Sequence, residues 1–112
     1  MINIDTLKQV EIRAGKILSA EPIEGSEKLL KLFVDLGEET PRQILSGIAK
    51  YFPGGAGLSG LTCAFVTNLE PRAMMGLTSH GMILATSGER DGKEFFSPLT
   101  LSDDVPPGAL VK

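Results

Sequence analysis

Few residues in this chain of 112 could carry out bond-making chemistry. His80 is the only histidine and Cys63 the only cysteine, so no zinc site can be assembled from His and Cys alone. Cys63 falls on the apolar side of an alternating run, where a thiol is expected to be buried and inert rather than nucleophilic. His80, in Ser79-His80-Gly81, reads as a loop contact rather than a general base. The carboxylates gather in turns, and no two are spaced to share one element facing a cleft, as paired acid–base work requires. Met74, Met75 and Met82 offer soft thioethers, yet three methionines beside a loop serve packing or an apolar contact surface more naturally than a metal. The expectation is a non-catalytic chain with no metal and no cofactor.

The stretch from Asn68 to Met82 is better suited to binding. It joins polar donors (Asn68, Ser79, His80), one guanidinium (Arg72) and flexible apolar groups (Met74, Met75, Met82). Such a set fits a nucleotide: arginine for phosphate or a base edge, hydroxyl and amide for hydrogen bonds, thioether against a base face. An irregular loop held by Asn68 and plugged by methionines accounts for the same residue types equally well.

Charge pulls the other way. The net charge is −3, from 11 Lys and Arg against 14 Asp and Glu, whereas a nucleic-acid-binding domain is typically basic. The charges are unevenly distributed. Residues 21–41 carry six acids and two lysines, while residues 42–80 carry Arg42, Lys50 and Arg72 against Glu70 alone. A central stretch so poor in carboxylates can meet an anion although the whole chain is acidic.

The elements that must position these residues are short strands. Thirteen glycines and seven prolines cut the chain too finely for long helices. Leu30, Leu32, Val34 and Leu36 alternate with Lys31, Phe33 and Asp35; Leu61, Cys63, Phe65, Thr67 and Leu69 repeat the pattern. Met82-Ile83-Leu84-Ala85 reads as a strand covered on both faces, and the Asp91-Gly92 pair as a tight hairpin turn. In the first strand Val10, Ile12 and Ala14 share a face before the apolar set resumes at Ile17, which predicts a bulge at Gly15. A kinked first strand that pairs with two neighbours is the device of five-stranded Greek-key barrels of the OB type. Single helical turns are expected over Asp5–Gln9 and over Ser26–Leu29 with Ser26 as cap, and a flexible loop over Pro53–Gly60. The ending, from Ser102 to Lys112, should be extended because of Pro106 and Pro107. With 42% apolar and 22% charged residues the chain reads as one domain, with a core at about 10–100. No apolar run is long enough to span a bilayer, and the start lacks the pattern of a secretory signal. Together with the lone cysteine this points to a reducing, cytoplasmic setting.

Five segments in order carry a resemblance: Leu29–Gly37, Arg42–Ile48, Asn68–Pro71, Met74–Gly76 and Ser79–Met82. Together they resemble the tRNA-binding domain appended to bacterial methionyl-tRNA synthetases, which also occurs free-standing and in endothelial-monocyte-activating polypeptide. The resemblance runs from about Val10 to Val111. It implies an all-β OB-fold and structure-selective, largely sequence-independent tRNA binding. It also implies a homodimer built from the segments around the chain ends (1–9 and 101–112). A methionyl-tRNA synthetase catalytic chain is the implied further partner.

Placed by position, the resemblance and the loop reading give Lys28, Arg42, Ser46, Lys50, Arg72, Ser79, His80 and Met82 as RNA-facing candidates, with Gly15, Asn68, Pro71 and Gly76 as supports. Two departures matter: the family usually has a lysine at Ala73 and an arginine at Met75, so Arg72 alone remains in that loop. Aromatics are few, and a stacking platform for single strands is weakly supported; shape and backbone recognition fit better. A peptide-binding chaperone or export factor on the same fold is the competing expectation, favoured by the acidic balance and the three methionines.

Overall fold

In the computed structural model, which describes residues 1–112, the chain runs α1 (Ile4–Leu7), β1 (Ile12–Pro22), β2 (Leu30–Asp35), β3 (Arg42–Ser46), a 3-10 turn (Pro53–Gly55), β4 (Thr62–Val66), β5 (Arg72–Met74), β6 (Leu77–Ser79), β7 (Met82–Ile83), β8 (Ala85–Arg90) and β9 (Lys93–Pro98). Alternation makes β2 a wall of the core. Leu30, Leu32 and Val34 are buried and Lys31, Phe33 and Asp35 point outward. An antiparallel sheet in the order β3-β2-β1-β4-β7 curls around these side chains, with Ile17, Ile44, Leu58, Cys63 and Phe65 completing the core. This is the expected five-stranded, nearly closed OB barrel. The four remaining strands form two hairpins, β5–β6 and β8–β9.

β1 serves two neighbours, as its length predicts. Ile12–Lys16 pair with β4, and Lys16–Pro22 pair with β2. The bulge, however, lies between Ile17 and Ser19 and not at Gly15. Gly15 faces the core opposite Cys63, and a Cβ there would sit 2.6 Å from Val34 Cγ1 and 2.8 Å from Phe65 Cδ1. Its role is therefore close packing: the apolar faces before and after it belong to two sides of one strand, and both are covered. β4 is buried along its whole length.

The chain end adds to the sheet. Residues 99–101 run beside β4, with Ala64 N–H donating to Leu99 O at 3.0 Å and Leu101 N–H to Thr62 O at 2.8 Å. Gly108–Val111 then lie along the first half of β1, bonded at Ala14 and Ile12. The ending is thus extended only in part: turns at Ser102–Val105 and Pro106–Ala109 interrupt it, and its last residues supply β1 with backbone partners that β2 does not reach.

Other local expectations are corrected. The first turn of helix is capped by Asn3, whose Oδ1 accepts from Thr6 N–H at 2.9 Å. Ser26 accepts from Leu29 N–H at 3.1 Å, but the residues form a bend rather than a helical turn. Pro53–Gly60 is a 3-10 turn and tight turns instead of an open loop. It is pinned by fully buried Leu58 and by Ser59 Oγ donating to Leu18 O at 3.0 Å. β7 is covered on one face only, since Ile83 is buried and Met82 is exposed. Tyr51 stacks on Phe96 with centroids 4.4 Å apart and Phe52 meets the same ring edge-on, joining β9 to the turn after β3.

Candidate nucleic-acid interface

The barrel does not close by a ladder. Between β3 and the β4–β7 side, closure falls to the strip Thr78–Gly81 and to side chains. His80 N–H donates to Gln43 O at 3.0 Å, and Gln43 Nε2 donates to Thr78 O at 2.9 Å. Ser79, 3% exposed, accepts from Leu45 N–H at 3.0 Å and donates to Gly81 O at 3.2 Å. Its hydroxyl stands where a strand carbonyl would be. Arg42 spans the same gap, donating from Nη1 to Thr67 O at 2.6 Å and to His80 O at 3.1 Å. Its other face makes a bidentate pair with Glu38, both bonds 2.8 Å. Beyond it Thr67 Oγ1 and Arg13 Nε each donate to Glu11 Oε1 at 2.8 Å. These bonds set the ionisation. Hydrogen bonds from Arg13 and Thr67 hold the Glu11 carboxyl below its usual value of 4.5, and the bond to Arg42 does the same for Glu38 and raises Arg42.

Two of the candidate contacts, Arg42 and Ser79, are thus occupied within this seam. The reason was invisible in one dimension: Glu38 and Gln43 lie on the other side of the gap from Thr67 and the 78–80 strip. Lys50 is also committed, 2.7 Å from Glu94 Oε2 and 5.6 Å from the Tyr51 centroid, and the bond to Glu94 raises its pKa. Two of the three cations in the carboxylate-poor stretch 42–80 are therefore paired with acids that the fold brings in from outside it.

What remains open is a rim. β5 pairs antiparallel with β6 through a two-residue connection, Met75-Gly76, with φ of 51° and 76°. Positive φ at both central positions is the signature of the type I′ turn that suits the strand twist. Asp91-Gly92, with φ of 53° and 78°, makes the same turn in the expected hairpin β8–β9. The stretch after β4 is thus a hairpin where an irregular loop was expected, and the glycine at position 76 was the available signal. Its tip reaches the β1–β2 connection: a Cβ at Gly25 would lie 3.4 Å from Met75 Cε. On these two meeting segments Lys28 and Arg72 are exposed and have no carboxylate within ion-pair distance. His80 and Met82 are exposed beside them, Ser46 is half-buried at the end of β3, and Pro71 is exposed at the hairpin entry. Asn68 ties this region to the start of β1, accepting from Glu11 N–H at 2.8 Å and donating to Gln9 O at 2.7 Å. Cys63 is fully buried, and burial pushes its thiol up to about 11.

A barrel whose exposed rim is formed by the β1–β2 connection and an insertion after β4 has the architecture of an OB fold. The chain belongs to the family described as putative tRNA binding domain, which matches residues 12–110. It is 47% identical over 111 residues to a methionine–tRNA ligase of Lactococcus lactis, covering 98% of this chain and 16% of that protein. It is 41% identical to the same enzyme of Methanocella arvoryzae, covering 99% of this chain and 15% of that protein. The chain thus spans about a sixth of the length of these relatives. Among solved structures, a MetRS-related protein from Pyrococcus horikoshii superposes with a TM-score of 0.87 at 36% identity, over 100% of this chain and 98% of that one. The chaperone CsaA from Bacillus anthracis shares the fold, with a TM-score of 0.82 at 22% identity over 100% and 99% of the two chains. No helix is long and apolar enough to cross a membrane.

Proposed function

We propose that this chain binds folded tRNA through the rim formed by the β1–β2 connection and hairpin β5–β6, as a module serving an aminoacyl-tRNA synthetase of the methionyl type, in trans or within one chain. The reading is carried by Lys28 and Arg72: in a chain matching a tRNA-binding family, these two cations sit unpaired on the two segments that meet at Met75. Lys28 and Arg72 take phosphates, His80 and Ser46 add polar contacts, and Met82 lies against a sugar or base. Arg42, Ser79 and Lys50 hold the frame. The module does no chemistry of its own; it raises the local concentration of tRNA for a partner that does.

With two phosphate contacts per subunit, affinity is modest and salt-sensitive, each contact adding roughly −0.7 to −0.9 to the slope of log affinity against log salt. Pairing of two copies through the chain ends would double the contacts. Exposed Ile2, Ile4, Leu7, Val10, Leu110 and Val111 support that pairing. Gel-shift titration with bulk tRNA at about 50 and 200 mM salt tests the binding; retardation at the lower salt that fades at the higher is expected, and none at micromolar protein in low salt overturns it. A monomer mass in sedimentation at micromolar concentration overturns the pairing.

A second reading, capture of unfolded polypeptide, is favoured by one observation. Leu69, Met75 and Met82 are each at least 46% exposed around the same rim. Capture of a reduced, unfolded test protein without tRNA retardation is the result that would select it.

A further inference from the structure

The six aromatic residues are not used alike. Phe65 fills the core, Tyr51 stacks on Phe96, and Phe52 meets Phe96 edge-on. Phe95 lies across Gly88, where a Cβ would come within 2.8 Å of its ring. Phe33 is half-buried on the outer face of the five-stranded sheet, outside the core cluster and without an aromatic partner, whereas Phe95, 44% exposed, belongs to the separate β8–β9 hairpin. It stands on β2, the middle of three strands, in a row with Ser19 of β1 and Gln43 of β3. Gln43 in turn bonds Thr78 of the hairpin, so this row adjoins the rim. Lys31 covers the ring, its Nζ 5.5 Å from the centroid and 3.6 Å from Glu21 Oε2.

We propose that Phe33 is a stacking site for one unpaired nucleobase of the RNA, an inference that rests on the reading of the chain as an RNA-binding module and deepens it. An aromatic ring on a wet sheet face, flanked by Ser19, Gln43 and Asp35, is too polar in its surroundings for a dry protein contact, and its π-face takes any base. Lys31 supplies the charge complement. Its ion pair with Glu21 is partly exposed and therefore weak. The incoming base takes the ring while the ammonium moves onto that nucleotide's phosphate. The RNA element recognised here is then a loop, bulge or end and not a continuous duplex, since only unstacked bases can be splayed onto a ring.

The chain has no tryptophan and one tyrosine, so Phe33→Trp installs at the site a sole tryptophan whose indole can be excited selectively. Its emission should be quenched by tRNA and by a single-stranded oligoadenylate of about eight nucleotides, and not by a blunt RNA duplex of that length. Phe33→Leu should weaken oligoadenylate binding by about 5- to 100-fold, and Phe33→Tyr should restore it. The salt slope should stay at the wild-type value, because Lys28 and Arg72 remain. Retardation of tRNA with unchanged tryptophan emission at saturation, or wild-type binding by Phe33→Leu, overturns the stacking site and leaves tRNA binding standing. Quenching by oligoadenylate without any tRNA binding supports the stacking site and removes the tRNA reading. Absence of binding to every RNA by the unmodified chain ends both.

Discussion

The seam that closes the barrel and the rim beside it are made from the same kinds of residue, an arginine and small polar groups around strand ends, yet they end in opposite states. In the seam the polar side chains are engaged: Arg42 reaches two carbonyls and a carboxylate, and Ser79 replaces a missing ladder bond. On the rim Lys28 and Arg72 face solvent with no acidic partner. A short β7 leaves β3 without a full neighbour, so polar side chains nearby are consumed in completing the backbone's hydrogen bonds. Only those displaced from the gap, onto the β1–β2 connection and the hairpin, stay available to a ligand.

The strongest way to break this contrast is Arg42→Ala. It strips Thr67 O and His80 O of their donor and leaves Glu38 unpaired, and a loss of about 3 kcal/mol in denaturant unfolding is expected. A change within about 0.5 kcal/mol, the size of an ordinary surface substitution, would move Arg42 back to the rim. Ser79→Ala leaves a buried Leu45 N–H without an acceptor and should cost about 2 kcal/mol by the same measurement. Met75→Asn sharpens the picture of the hairpin. Asparagine tolerates the positive φ that methionine adopts against its preference, so a gain on the order of 0.5–1 kcal/mol is expected. A loss on thermal melting would mean that Met75 packing outweighs its backbone strain.

The smallest effect is acid sensitivity. Glu11 and Glu38 have folded pKa values below 4.5, so their bonds stabilise the fold above that pH and are lost as pH falls through it toward the lowered values. Arg42→Ala should flatten the part of the acid unfolding curve that belongs to Glu38. An unchanged curve would show that the pair contributes nothing measurable, as holds for many exposed ion pairs.

The barrel was largely legible because alternation is a local signal: Leu30, Leu32 and Val34, then Cys63 and Phe65, announce buried strands one residue at a time. Gly15 was legible as special but not as to why, since the side chains that exclude a Cβ there come from β2, β4 and Leu36. The hairpin at Met75-Gly76 escaped notice because methionine is a poor advertisement for positive φ, whereas Asp91-Gly92 declared the same turn. The site was legible only in part. Lys28 and Arg72 kept their exposed cations, while Arg42, Lys50 and Ser79 met partners 4 to 44 positions away in sequence, Glu38, Glu94 and Leu45, that spacing does not reveal. Phe33 was visible as an outward residue, but its isolation emerges only when the other aromatics are seen to pair or pack.

The central claim, that the rim and not the seam carries the phosphate contacts, is tested most directly by the salt dependence of tRNA binding in Lys28→Ala, Arg72→Ala and the double variant, followed by fluorescence anisotropy between about 50 and 200 mM salt. Each single substitution should reduce the slope of log affinity against log salt by roughly 0.7 to 0.9 per subunit and the double by the sum, with unfolding unchanged within about 0.5 kcal/mol. A double variant that keeps the wild-type slope and affinity would contradict the account.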